Sequence, residues 1–84
     1  MEVIKINAMW CSACVIMNNI WSEVEKEIDI KTTTFDYDFD EEEVERYNPG
    51  TVLPVFILME DGKELRRIIG EHTKEEMLEF IREK

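Results

Sequence analysis

The chain has 84 residues, 44% of them hydrophobic, and twenty acidic against ten basic side chains give it a formal net charge of -10. A chain of this length supports one modest core, so we expect a single domain over residues 1–84. The acidic excess argues against nucleic acid or an anionic membrane surface as a partner, because both require a basic face. No apolar run approaches the roughly 20 residues that span a bilayer, and the first residues do not resemble a secretory signal. We therefore expect a cytoplasmic protein that acts as a monomer.

Hydrophobic periodicity in the first half of the chain predicts a strand, a long helix and a second strand. The first strand covers residues 1–9. The helix covers about residues 11–28, and its apolar face is formed by Val15, Ile16, Ile20, Trp21, Val24 and Ile28. Apolar and acidic residues alternate over residues 33–40, which predicts a strand whose aromatic stripe belongs to the core, namely Phe35, Tyr37 and Phe39.

The second half of the chain predicts a short helix, two strands and a final helix. The signals are, in chain order, a capping box at Asp40 and Glu43, a strand over residues 52–59, a hairpin turn at Asp61-Gly62, a strand over residues 63–69, and a capping box at Thr73 and Glu76. The first two strands, joined by a helix, should be parallel, and the last two should form a hairpin. The sequence therefore predicts an α/β fold of order β-α-β-α-β-β-α, with a four-stranded mixed sheet and helices packed on its faces.

One motif with chemical content, Trp10-Cys11-Ser12-Ala13-Cys14, lies where the first strand ends and the long helix begins. Backbone N–H groups and the macrodipole at a helix N-terminus favour the thiolate form of Cys11. Cys14 lies about one helical turn further on, within reach of a disulfide with Cys11. The pair can therefore cycle between dithiol and disulfide. A zinc site is disfavoured because the chain has one histidine and no further cysteine.

With this motif, the chain resembles the thioredoxin family. The features that carry the resemblance are the WCSAC motif between strand and helix, Leu53-Pro54 at the third strand, Asp61-Gly62, and Gly70 before the last helix. The resemblance implies a thioredoxin-like fold with helices on both faces of the sheet. It also implies a redox-active disulfide between Cys11 and Cys14 and no bound cofactor.

The same resemblance implies roles for individual residues. Cys11 would be the nucleophile that attacks a substrate disulfide, and Cys14 would resolve the mixed disulfide. Trp10 would contact the substrate. Leu53 and Pro54, with the proline in cis, would face the cysteines, and the backbone of Leu53 would pair with an extended substrate segment.

Lys5 departs from the family pattern. Thioredoxins typically carry a buried acid six residues before the first cysteine, where it assists proton transfer at the resolving thiol, and this chain has Lys5 there. Lys5 could accept the proton itself, or its charge could modulate the thiol pKa by favouring the thiolate. Alternatively, its side chain could simply reach the sheet edge. Between the cysteines, Ser12-Ala13 lacks the histidine of oxidising relatives, which favours a reductase.

We predict a thiol-disulfide oxidoreductase that reduces protein disulfides through the Cys11–Cys14 couple. Its partners would be disulfide-containing proteins, with a thioredoxin reductase or glutathione as electron donor. Two alternatives stay open. The first is a glutathione-dependent, glutaredoxin-like reductase, because Thr51-Val52-Leu53-Pro54 loosely resembles that family's TVP signature. The second is a non-catalytic binding module with a thioredoxin fold.

Overall fold

The computed structural model describes residues 1–82, which form a four-stranded sheet and three helices in the predicted order. The elements are β1 (Glu2–Asn7), α1 (Ser12–Glu27), β2 (Lys31–Asp36), α2 (Glu41–Tyr47), β3 (Val55–Glu60), β4 (Lys63–Ile69) and α3 (Lys74–Arg82). The last two residues of the predicted domain, 83–84, lie outside the described residues. Within residues 1–82, no helix has the length and apolar character needed to cross a membrane.

The sheet has the strand order β2-β1-β3-β4. Strand β1 pairs in parallel with β2, and β3 pairs antiparallel with both β1 and β4. This arrangement follows from the two connections that the sequence specifies, a helical crossover after β1 and a tight hairpin after β3. The predicted mixed sheet is confirmed.

Helices cover both faces of the sheet because side chains on β1 alternate between two apolar clusters. Ile4 and Ile6 belong to one cluster, which includes Val44 of α2. Val3 belongs to the other, which α1 and α3 cover with residues such as Trp21 and Met77. The predicted placement of helices on both faces is confirmed.

The apolar face of α1 differs from the prediction. Its buried residues are Cys14, Met17, Trp21 and Val24, which follow one another at intervals of three and four. Val15 and Ile16, predicted to lie on that face, are 60% and 47% exposed. The buried stripe passes through Cys14 and Met17, and Val15 and Ile16 project away from it.

The chain turns at the end of β2 earlier than predicted. The Asp36 carboxylate accepts hydrogen bonds from the backbone N–H groups of Asp38 and Phe39, at 2.9 and 3.1 Å. Such side-chain bonds compete with strand pairing and stabilise a turn. Phe39 is consequently 77% exposed, so its predicted place in the core is wrong. The capping box at Asp40 and Glu43 is also wrong, because the Asp40 carboxylate accepts from the Asp36 N–H and makes no cap bond to α2.

The remaining signals of the second half agree more closely with the structure. Strand β3 begins at Val55, three residues after the predicted start, and β4 has the predicted bounds. The second capping box is formed: the Thr73 N–H donates to Glu76 Oε1 at 2.9 Å, and the Glu76 N–H donates to Thr73 Oγ1 at 3.2 Å. Helix α3 therefore begins where the pattern predicts.

Candidate active site

The two cysteines lie at the N-terminal end of α1. Cys11 is the N-cap residue, with extended backbone, and its Sγ accepts a hydrogen bond from the backbone N–H of Cys14 at 3.2 Å. The side chain of Cys11 thus takes the place that a serine or aspartate oxygen takes in an ordinary cap. A thiolate at this position receives both the N–H donor and the favourable end of the helix dipole.

The two thiols differ in their surroundings. Both cysteines are free and buried, but Cys11 is 8% exposed and Cys14 only 2%. Burial, and then a hydrogen bond with Cys11, raises the pKa of Cys14 from 9.0 to about 12. Cys14 is therefore held as a neutral thiol, and Cys11 is the less deeply buried of the two residues.

The segment before β3 lies against Cys11. The Cys11 thiol donates to the carbonyl oxygen of Leu53 over 3.6 Å, and Leu53 is itself buried. The peptide bond between Leu53 and Pro54 is cis. The carbonyl of Pro54 accepts a hydrogen bond from the Gly70 N–H at 2.8 Å, which ties this segment to the end of β4. Residues separated by about forty positions in sequence thus meet at the sulfur.

Trp10 lies on the surface beside the cysteines, and a second loop holds it in place. Its side chain is 62% exposed, yet its Nε1–H donates to Asp38 Oδ2 at 2.7 Å. The ring of Tyr37 packs edge-on against the indole, with 6.1 Å between ring centroids. Sequence reasoning missed Asp38 and Tyr37 as site residues. Asp38 was indistinguishable from its acidic neighbours, and only the turn after β2 brings it to Trp10.

Exposed apolar side chains adjoin both parts of the site. Met9 precedes the motif, Val15 and Ile16 follow it, and Val52 precedes Leu53; they are 81%, 60%, 47% and 57% exposed, respectively. Exposed apolar residues that adjoin a reactive group are typical of a surface that contacts another molecule. The prediction of Val15 and Ile16 as core residues concealed this feature.

The profile of the family described as Thioredoxin matches residues 1–83. The chain belongs to the thioredoxin family. Members of this family are thiol-disulfide oxidoreductases that act on disulfide substrates with reductase partners, and the chain is assigned to this general class. A search of curated proteins returned no match.

Solved thioredoxin structures agree with the fold. Thioredoxin from Fasciola hepatica is 30% identical, with a TM-score of 0.85, over 95% of this chain and 76% of that one. Mitochondrial thioredoxin 3 from Saccharomyces cerevisiae, in its oxidised form, is 24% identical, with a TM-score of 0.87, over 99% of this chain and 77% of that one. Thioredoxin 1 from Thermosipho africanus is 19% identical, with a TM-score of 0.81, over 93% and 86%.

Lys5, where thioredoxins typically carry a buried acid, lies in the sheet behind the motif. Its Nζ donates to Asn18 Oδ1 of α1 at 3.0 Å, and Asn7 Nδ2 approaches the same oxygen at 3.4 Å. Burial lowers the pKa of Lys5, and the charges of Glu25 and Cys14 act in the opposite direction. Lys5 is therefore directed toward α1 and its hydrogen-bond acceptor there. Asn18 gave no sequence signal, because an asparagine on a helix surface is common.

Proposed function

We propose that this protein reduces protein disulfides through a reversible Cys11–Cys14 dithiol/disulfide couple. Cys11 Sγ attacks one sulfur of the substrate disulfide, which breaks that disulfide and gives a mixed disulfide plus a substrate thiolate. Cys14 Sγ then attacks Cys11 Sγ. The Cys11–Cys14 disulfide forms, the second substrate thiolate leaves, and two electrons have passed to the substrate.

The observation that carries this proposal is the position of Cys11 Sγ. Cys11 Sγ accepts a hydrogen bond from the Cys14 N–H at the start of α1, and Cys11 is the less deeply buried of the two cysteines. A nucleophilic thiolate needs such a donor and a path to its substrate. Cys14, more deeply buried and protonated, is suited to the later step, in which its target is already attached to Cys11.

Two further residues support a protein as substrate. Leu53 precedes β3 at the sulfur, so its backbone can pair with an extended substrate segment by strand addition. Trp10 presents an exposed aromatic surface in a fixed orientation, because Asp38 and Tyr37 hold the indole. A fixed aromatic side chain contributes contact area at low cost in conformational entropy.

The test is turnover of a protein disulfide such as that of insulin, with dithiothreitol as electron donor. Wild-type protein should accelerate reduction, and Cys11→Ser should abolish the acceleration. Cys14→Ser should instead accumulate a mixed disulfide at Cys11, detectable by mass spectrometry, because attack still occurs and resolution does not. Ser22→Ala, an exposed change elsewhere on α1, serves as the control.

Undiminished turnover by Cys11→Ser would contradict the proposal and favour the alternative of a non-catalytic binding module. The electron donor is distinguished by two coupled assays that follow NADPH, one with a thioredoxin reductase and one with glutathione and its reductase. Turnover with glutathione alone would favour the glutaredoxin-like alternative.

A further inference from the structure

The resolving step demands that Cys14 lose its proton in a place where burial opposes ionisation. Because burial raises the pKa of Cys14 to about 12, almost none of this thiol is ionised near neutral pH. Once Cys11 is part of a mixed disulfide, its hydrogen bond to Cys14 and its charge no longer favour the thiol. Burial, the largest cause, remains. The protein therefore needs a group that stabilises a negative sulfur at Cys14.

The geometry around Asn18 supplies a cation for this purpose. Asn18 follows Cys14 by four residues on α1, so the two side chains are neighbours one turn apart. Two donors from β1 converge on Asn18 Oδ1, the Lys5 ammonium at 3.0 Å and the Asn7 amide at 3.4 Å. The ammonium is thus held on α1 about one helical turn from Cys14.

Within residues 1–82, the two neighbouring strands place no charged residue in register with Lys5. Its register partners are Thr34 on β2 and Phe56 on β3, both uncharged. From α1, the charges that act on Lys5 are those of Glu25 and Cys14, and both favour its protonated form. A backbone hydrogen bond with Ala8 lowers the pKa of Cys14, and the charge of Lys5 lowers it by a smaller amount, in the direction that favours the thiolate. Lys5 and Cys14 therefore stabilise each other's charged forms.

We propose that the Lys5 ammonium, positioned by Asn18, stabilises the Cys14 thiolate that resolves the mixed disulfide. This inference rests on the proposed function. The Cys14 proton passes to water, the thiolate attacks Cys11 Sγ, the bond from Cys11 to the substrate sulfur breaks, and the substrate leaves with the electron pair. Lys5 keeps its protons throughout. It acts by charge, whereas a carboxylate at this position would act by accepting the proton.

The test follows the reaction of the reduced protein with an aromatic disulfide, dithiobis(nitrobenzoate), whose thiolate product is coloured. Attack by Cys11 releases a first thiolate, and resolution by Cys14 releases a second. In Lys5→Met, the pH midpoint of the second release should rise by about one unit, which slows that release about tenfold near neutral pH. The first release should change by a smaller factor.

Two variants and a control separate charge from packing. Lys5→Arg keeps the positive charge and should retain the wild-type midpoint. Asn18→Ala, on the exposed side of α1, should raise the midpoint by less than Lys5→Met, because the ammonium is present but no longer held. Lys31→Met makes the same change in net charge at the far end of β2, beside Glu2, and should leave the midpoint unchanged.

Each result then decides one question. If both releases occur but Lys5→Met has the wild-type midpoint, the role of Lys5 is wrong and the proposed function stands. A purely structural role would slow both releases at every pH without moving the midpoint, which also overturns the inference. If wild-type protein gives no second release, the proposed function itself fails. Should Lys5→Met not fold, an unshifted midpoint in Asn18→Ala overturns the inference.

Discussion

Cys11 and Cys14 are only three residues apart but have different surroundings. The difference depends on which residues of α1 face the core. Cys14 lies on the buried stripe of the helix, and Cys11 precedes the helix at its cap. The spacing predicts that the two sulfurs form a pair, and the resemblance to thioredoxins implies that Leu53 and Pro54 face them. The sequence does not predict the hydrogen bonds that Asp38 makes with Trp10 and Asn18 makes with Lys5. In each pair the two residues are far apart in sequence, and no local pattern indicates that they meet.

The buried Cys14 thiol should make the stability of the reduced protein depend on pH. Its pKa is 9.0 when unfolded and about 12 when folded, so the folded state keeps a proton that the unfolded state releases. This contribution to stability is complete below about pH 9 and is lost as the pH rises toward 12. At about pH 10 the loss is on the order of 1 kcal/mol.

Urea unfolding of the reduced protein at about pH 8 and about pH 10 measures this effect. Cys14→Ser should lack this part of the loss. Lys5 has a lowered pKa and so changes stability in the opposite direction, but both proteins contain it and its effect cancels in the comparison. An equal loss in wild type and Cys14→Ser would contradict the prediction.

At the scale of secondary-structure elements, local patterns predicted the order and pairing of strands and helices but not every boundary. The capping box of α3 forms through Glu76 Oε1, while the His72 ring lies near the other carboxylate oxygen of Glu76, at 3.5 Å. The similar pattern at Asp40 fails because the Asp36 N–H, at the end of β2, binds the same carboxylate. A donor only four residues earlier thus overrides the capping pattern, and the turn between β2 and α2 contacts the motif through the bond between Trp10 and Asp38.

The cap of α3 gives a prediction for this element. Thr73→Ala removes the hydroxyl that accepts the Glu76 N–H, and it should lower the free energy of unfolding by about 1 kcal/mol. Thermal or urea unfolding measures the change, with Thr51→Ala, an exposed loop substitution, as the control. Because α3 lies away from the cysteines, turnover per folded molecule should stay at the wild-type value. A variant as stable as the control would show that the cap contributes nothing.

The whole molecule carries a formal charge of -10 on a small surface. The first turn of α2 by itself contains three acidic residues. A field of this sign attracts basic proteins and repels acidic ones, and salt weakens both effects. We expect this field to influence which proteins approach Cys11. Composition alone therefore predicts it, independently of the strand and helix assignments.

We expect the kcat/KM for a basic protein disulfide to fall about tenfold between about 20 and about 200 mM salt. An acidic substrate should show no fall, or a rise. Glu42→Lys, an exposed change on α2, should reduce the salt dependence for the basic substrate without altering the fold. Equal salt dependence for both substrates would show that the net charge does not steer their approach.

The hydrogen bond between Trp10 and Asp38 joins two separate segments at the site, the motif before α1 and the turn after β2. The reactivity of Cys11 depends on its position at the start of α1. The orientation of the Trp10 indole depends instead on the turn that follows β2. Replacing residues 37–40 with the equivalent turn of a relative would thus change the orientation of the Trp10 side chain and leave both cysteines in place. Evolution, or a protein engineer, can alter the shape offered to partners in this protein without touching its reactive thiols.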